Sequence, residues 1–471
     1  MRSANSSFKV EYFVSLIGVL LALIEYSFDA FSEDVSVTNY YLFQLFFLFT
    51  ITYISTVKRT SALHIFSLLY ITTFIFAFGG LIATLFSDTF NFRDAISPLP
   101  MRFAEKVIQK VILIYTVFIG STYLFYWRIV DKNQLWKKSV YVLPTNNKYL
   151  AIAKYTMLIT LPFAIYYSIL QFNIVASEGG RSALYAAGGN AALGVPLFVR
   201  VPNMLFTAAF YMFVASCPPK KVFVKYVLLY FITLIPILLM GERGEVVVPI
   251  MFSLWYMHSY YKLKINYWKL GLIAFTIMAV AYILTFTRLG EDVGRLSVTI
   301  IIIGFLETSA TSFKLLSYYV TYKSQLIGHT YPFVFDSLIA GLTGASGQSL
   351  ETLSVRSSIG HQLVYYLNPN YYLSGASTGT SFVTECFEFG MFGIILGALL
   401  LALFMYFIDF RIKKSYFLMI FLFLFFSNII LSPRGSLFVG IYDIIKYSII
   451  YVILSLGYSI FNRKVKKKYT N

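Results

Sequence analysis

Phe13-Val14-Ser15-Leu16-Ile17-Gly18-Val19-Leu20-Leu21-Ala22-Leu23-Ile24 is an uncharged apolar run near the start of the chain. No small-residue cleavage site follows it, and it leads directly into further runs of the same kind. The sequence therefore predicts a retained first membrane helix rather than a leader that is removed. Working outward, stretches near the ~20 residues needed to cross a bilayer recur along the chain. They predict twelve spans, at roughly 12–28, 39–56, 62–86, 108–130, 150–174, 197–216, 222–240, 245–261, 267–287, 382–408, 416–431 and 437–461. The 471 residues are 58% hydrophobic and only 13% charged, whereas soluble domains carry about 25% charge. The expected fold is all-α and polytopic, one integral membrane domain over residues 1–471 with no room for a soluble domain. It divides into nine spans in 12–287, a long loop at 288–381, three spans in 382–461 and a basic tail at 462–471.

The formal charge of +17 is spread between apolar segments instead of forming a stripe, so it speaks for topology and against a nucleic-acid partner. One alternate set of connections holds 18 Lys and 5 Arg, from Arg2 and Lys9 through Lys58 and Lys220 to Lys468. By the positive-inside rule that set faces the cytoplasm, which places both termini inside and makes the number of spans even. The opposite face carries thirteen basic residues, of which nine are Arg. Guanidinium suits bidentate recognition of phosphate or carboxylate, so this bias points to an anionic ligand outside. Cys217 and Cys386 lie far apart with no partner spacing, which argues against a disulfide framework or a thiolate metal site.

Residues 288–381 form the one very long outer segment, and loops of this length are usually functional or disordered. Its apolar runs, Val298 to Leu306 and Tyr331 to Leu342, read as interfacial or re-entrant helices lying against the bundle. Two extra crossings there would preserve the parity and give fourteen spans.

The residues with chemical potential gather on this outer face. Gly241-Glu242-Arg243-Gly244-Glu245 and Ser432-Pro433-Arg434-Gly435-Ser436 read as equivalent hairpins, each with Arg-Gly just before an apolar run. A helix beginning at such a turn offers free N–H groups and a favourable dipole to an anion, and the arginine adds full charge. Snorkelling, or pairing with Glu242 and Glu245, is the plainer use of these arginines. Arg356-Ser357-Ser358-Ile359-Gly360-His361 is followed by the glycine-dotted stretch Gly375 to Glu385. There Thr380 or Ser381 can cap a helix, Glu385 falls in its first turns, and Gly390, Gly393 and Gly397 form a close-packing face. His361 can accept a proton at physiological pH. Arg288-Leu289-Gly290-Glu291-Asp292-Val293-Gly294-Arg295 opens the loop, with mutual salt bridging as the alternative to a ligand role. Arg181, Arg200 and His329 are weaker candidates. No phosphate-cradling GxxxxGK[ST] loop, D-x-D pair, C-x-x-C or H-E-x-x-H is present, so neither a cofactor nor a metal is expected. Mid-span acids are scarce, with only Glu25 and Asp443 as possibilities, which leaves an ion-coupled relay little material.

The Gly241–Glu245 turn, the Arg356–His361 stretch and the run Gly375-x-x-x-Gly379-x-Ser381-x-x-x-Glu385-x-x-x-Phe389-Gly390-x-x-Gly393, set in a twelve-span plan with one long outer loop, resemble the O-antigen polymerase (Wzy) family. One departure is that Ala192, not glycine, lies eleven residues after Arg181, so an Arg-x10-Gly role for Arg181 is not supported. The resemblance implies a membrane-embedded, metal-independent glycosyltransferase of the GT-C type in a bacterial inner membrane. Such an enzyme moves a growing glycan from undecaprenyl pyrophosphate to an incoming lipid-linked repeat unit on the periplasmic face. It implies the lipid-linked oligosaccharide, as donor and acceptor, and the bilayer as partners, with a polysaccharide chain-length regulator as a further one. Arg243, Arg288, Arg295, Arg356 and Arg434 are then expected to bind pyrophosphate, and His361 or Glu385 to act as base. A ligase using the same donor and a lipid A-core acceptor would look similar. A flippase or transporter would need internal repeats and midplane polar residues, neither of which stands out here.

Overall fold

A computed structural model of the chain describes residues 2–86, 91–94, 99, 101–132, 143–177, 195–240, 243–263, 266, 268–269, 271–272, 275–276, 279–280, 282–283, 297–326, 331–345, 347–375 and 377–470. Among them the regular structure is helical, and the one isolated bridge joins Asp94 and Arg102. The fold is thus the all-helical, polytopic membrane protein expected from composition. A peptide group in hydrocarbon has no water to bond, and the membrane-length segments among the described residues answer this mainly with regular helix.

Ten helical stretches are long and apolar enough to cross a membrane: Lys9–Ser27, Val35–Arg59, Ile65–Phe86, Glu105–Asp131, Asn147–Ser177, Leu197–Ala215, Lys220–Leu239, Val298–Tyr322, Gly390–Lys414 and Ile441–Ile460. The span expected at 245–261 is the helix Arg243–Tyr261, and that at 416–431 is split into Tyr416–Met419 and Leu422–Leu431. Most of 267–287 lies outside the described residues, as does the start of the long loop.

Two boundaries differ from the sequence reading for identifiable reasons. The apolar run at Val298 continues to Tyr322, with the helix interrupted at Ala310 (φ −81°, ψ 48°). Glu307 and Lys314 break the hydropathy pattern there, yet they pair across the interruption at 2.5 Å, both largely buried. A paired charge costs far less in an apolar setting than an isolated one, so the stretch is more apolar in practice than its letters suggest. The other run remains short, as Phe333–Thr343. The second difference is the expected span at 382–408. It opens with a separate helix, Phe382–Phe387, and the long helix begins at Gly390, where φ is +62°.

Glu105–Lys132 is the central pillar. Its most apolar stretch is 89% buried, against 11% for the peripheral Ile441–Ile460. Lys9–Ser27, Val35–Arg59, Thr311–Tyr322 and Gly390–Tyr406 pack around it. Gly120 permits the closest approach, since a Cβ there would collide with Val19 and reach Leu48 at 3.0 Å. A second group, Asn147–Ser177, Leu197–Ala215, Lys220–Leu239 and Arg243–Tyr261, joins the pillar group through Leu422–Leu431. Two of the three glycines expected to form a close-packing face do so: at Gly393 a Cβ would strike the Cys386 carbonyl and at Gly397 the Cys386 thiol, whereas Gly390 has no atom within 4 Å of its Cβ position and serves the positive φ instead. Both cysteines are buried and unbonded.

The lysine-rich connections converge at one end. Asn146 N–H donates to Ser216 O at 2.8 Å, Thr145 Oγ1 to Cys217 O at 2.8 Å and the Tyr416 hydroxyl to Pro144 O at 2.6 Å. One acid side chain is buried at this end. Asp409 sits in a π-helical turn, Phe407–Arg411, where it accepts from the Tyr126 hydroxyl at 2.7 Å and lies 3.2 Å from His64 Nε2. The other end holds the Ser32 and Gln109 pair and the Phe382–Phe387 helix, linked by the edge-on rings of Tyr26 and Phe387.

Gly120→Leu is expected to destabilise by about 1–3 kcal/mol through overpacking at the pillar. Gly457→Leu, with no atom within 4 Å of its Cβ position, is expected to be neutral. Thermal unfolding of the two purified variants in detergent compares them directly.

Candidate functional site

Short helices between residues 331 and 387, together with the turn after Leu431, form one polar cluster beside the pillar. Ser381 caps Phe382–Phe387, its hydroxyl accepting from Thr384 N–H at 3.2 Å. Phe382 N–H donates to Ser432 O at 3.0 Å, which docks this helix against the end of Leu422–Leu431. Gly360, at the start of Ile359–Leu367, lies against the Gly379 carbonyl so closely that any Cβ would collide with it. Gly379 itself holds φ +75°, which favours glycine. The Gly360–Gly379 contact brings the His361 helix and the segment leading into the Glu385 helix together, although twenty-four positions separate those residues in the sequence.

Glu385 is 2% exposed and precedes the membrane-length helix. The Thr380 hydroxyl donates to its Oε1 at 2.9 Å, while Oε2 accepts no hydrogen bond among the described residues. Burial pushes the carboxyl up to about 8; the Ser436 and Thr380 hydroxyls oppose this, and Asp336 and Glu388 add like charge. At neutral pH the group is mostly protonated, and it ionises just above.

Arg356 follows Leu350–Val355 in extended conformation. It forks onto Asp336, Nε to Oδ1 at 3.3 Å and Nη2 to Oδ2 at 2.5 Å. Tyr331 braces the pair: its hydroxyl donates to Val355 O at 3.0 Å and accepts from Ser357 N–H at 3.1 Å. Two of the five guanidinium N–H donors are thereby committed to a buried carboxylate, leaving the others for a ligand. His361 is near enough to feel this charge. Burial pushes its pKa down to about 3 and Arg356 acts in the same direction, so the imidazole is neutral at physiological pH.

The two Arg-Gly turns are not equivalent. Arg243 is the first residue of Arg243–Tyr261, so the expected helix start is there. After Arg434 the chain makes further turns, and the next helix starts at Ile441. The cause is Asn428, whose buried amide donates to Leu437 O at 3.0 Å and Val439 O at 2.8 Å, with Gly440 at φ +67° leading into the helix. A helix N-terminus therefore backs Arg243 and not Arg434. The Arg434 guanidinium is exposed and lies 5.4 Å from the Phe76 ring centre, two residues from the Ser436 that faces Glu385.

Arg356, His361 and Glu385 are thus brought together, with the Arg434 turn beside them. Arg200 is exposed in the first turn of Leu197–Ala215 and has no part in the cluster. Arg181, Arg288, Arg295 and His329 lie outside the described residues. Asp336, Tyr372 and Ser436 belong to the cluster and were not anticipated, and Thr380, one of the two expected caps, bonds Glu385 while Ser381 makes the cap. The sign available for Asp336 was a lone acid inside the apolar run Tyr331 to Leu342. Among the described residues no group of three or more His, Cys, Asp or Glu could hold a metal ion.

Neither the curated proteins nor the solved structures contain a match to this chain. The family model described as O-antigen polysaccharide polymerase Wzy matches residues 10–465, which takes in every helix of the cluster. The chain therefore belongs to the O-antigen polysaccharide polymerase Wzy family.

Proposed function

We infer that this membership makes the protein a multi-pass membrane polymerase of glycosyltransferase type, acting on lipid-linked oligosaccharide. We propose that it transfers the growing glycan from undecaprenyl pyrophosphate to the sugar of an incoming lipid-linked repeat unit. In this reading the site faces the periplasm of a bacterial inner membrane, both termini are cytoplasmic, and a chain-length regulator is a further partner. The observation that supports the proposal is the gathering of Arg356, His361 and Glu385 on neighbouring short helices, linked through the Arg356–Asp336 pair and the Gly360–Gly379 contact, with the arginine of a second turn beside them.

Each residue then has a chemical task. The acceptor hydroxyl oxygen attacks C1 of the donor sugar, the C1–O bond to pyrophosphate breaks, and the hydroxyl proton passes to a base. The departing pyrophosphate gains negative charge, which fixed guanidinium groups stabilise without first having to reorganise. Arg434 and Arg243 are proposed for this role, with Arg288 and Arg295 from the start of the loop. Arg356 contributes its uncommitted donors. Glu385 is the better proton store, because its raised pKa makes the carboxylate a stronger base than an ordinary glutamate. His361, neutral and hard to protonate, is suited to orienting the acceptor hydroxyl. Guanidinium charge here takes the part that a divalent ion plays in soluble glycosyl transfer, which is the sense in which the mechanism is metal-independent.

The direct test is the glycan ladder on lipopolysaccharide gels from a deletion strain. Deletion is expected to leave core bearing a single repeat, and the intact gene to restore the ladder. Bare core would support a ligase instead. Arg434→Ala and Arg356→Ala at matched expression are expected to lower turnover on the order of 10²-fold or more, the cost of one preorganised charge donor. The pH profile tests Glu385. Activity of purified protein on lipid-linked repeat units is expected to rise with pH through about 8, as the carboxylate forms, with no inflection near the usual histidine value. Glu385→Gln is expected to flatten that rise and to cost about 10²–10⁴-fold. A fall in activity through the same pH would assign Glu385 as an acid instead.

A further inference from the structure

Tyr372 is fully buried and sits between two partners. Its hydroxyl donates to the Ser349 carbonyl at 3.3 Å and lies 3.3 Å from His361 Nδ1. A phenol has one hydrogen, and a carbonyl oxygen can only accept. The same Ser349 carbonyl accepts Leu353 N–H at 2.9 Å, so the phenol meets its second lone pair. If the phenol hydrogen went to Nδ1, the phenol and carbonyl oxygens would face each other as two acceptors. If it goes to the carbonyl, Nδ1 must bring its own hydrogen, and both contacts become hydrogen bonds. A buried polar pair left unsatisfied costs about 1–3 kcal/mol, which favours the second arrangement. Ring packing holds the phenol in place: Tyr372 meets His361 edge-on at 5.6 Å and Tyr365 edge-on at 5.7 Å.

We propose that Tyr372 is a positioning residue that fixes His361 as the Nδ1–H tautomer, leaving the lone pair on Nε2 to receive the acceptor hydroxyl. The inference deepens the reading of His361 given above and rests on it for its catalytic meaning. His361 makes no other side-chain hydrogen bond among the described residues, so Nε2 stays available. The tautomer matters because an imidazole protonated on the wrong nitrogen presents a donor where an acceptor is required, a fault that costs a serine protease roughly 10⁴-fold. Burial also holds the phenol pKa at about 12, so Tyr372 keeps its hydrogen across the working pH range.

The spectroscopic test uses purified full-length protein labelled with ¹⁵N-histidine. The chain has four histidines, and His361→Gln identifies the resonances of this one. At neutral pH Nδ1 is expected to show a protonated, pyrrole-type shift and Nε2 an unprotonated, pyridine-type shift. In Tyr372→Phe, which keeps the ring and removes the hydroxyl, the population is expected to move toward Nε2–H. Turnover is expected to fall on the order of 10²-fold with KM little changed, the cost of a misplaced acceptor hydroxyl. A wild-type spectrum showing Nε2–H, or a spectrum unchanged by Tyr372→Phe, overturns the inference. The parent reading fails separately: wild-type turnover in His361→Gln removes His361 from the reaction whatever its tautomer.

Discussion

A bilayer interior supplies no hydrogen-bond partner to a peptide group, and the whole of this structure answers that single deficiency. Regular helix deals with it for most of the chain. The exceptions show how departures from it are tolerated. The interruption at Ala310 lies against Gly79 and Gly80, and the charged pair Glu307 and Lys314 closes across it. The π-turn at Phe407–Arg411 places Asp409 where Tyr126 and His64 satisfy it. Irregular backbone between 331 and 387 is packed against the pillar group and capped by side chains such as Ser349, Asn368 and Ser381. The proposed site can be irregular where side-chain caps and the pillar group satisfy its backbone.

Within the cluster, charge is distributed unevenly. Arg356 is held by a buried carboxylate, and a charge pair in such a setting gives direction more than net attraction for a ligand. In the proposed reaction, long-range pull on a pyrophosphate would fall to exposed guanidinium such as that of Arg434. The Glu385 oxygen without a partner is a buried polar atom of the kind that folded proteins seldom leave unsatisfied, and a catalytic role is one recognised reason for such an exception.

Composition and the alternation of lysine-rich connections were enough to read the fold, because hydropathy measures the same transfer free energy that places a helix in the membrane. Fine boundaries were less legible. Glu307 and Lys314 each look prohibitive alone, and their pairing within Val298–Tyr322 is not visible in the sequence around either one. The meeting of Arg356, His361 and Glu385 was partly legible, since glycines flank each of them and polar, glycine-rich sequence inside an apolar chain has few other uses. Asp336 was not, because a single acid has no spacing to announce it. Arg243 and Arg434 share a local motif, but an amide from Asn428, upstream of the second turn, redirects the chain after it. Tertiary hydrogen bonds of that kind leave no local trace.

The two cysteines give the fold a practical property. Cys217 and Cys386 are both buried, the second sealed under Gly393 and Gly397. Burial also raises both thiol pKa values, which keeps them as unreactive thiols and not thiolates. A membrane-impermeant maleimide should therefore pass over the unmodified protein. Single reporter cysteines placed in successive connections could then be mapped in intact cells without first building a cysteine-free background, and the sidedness of every loop would be read from which reporters label.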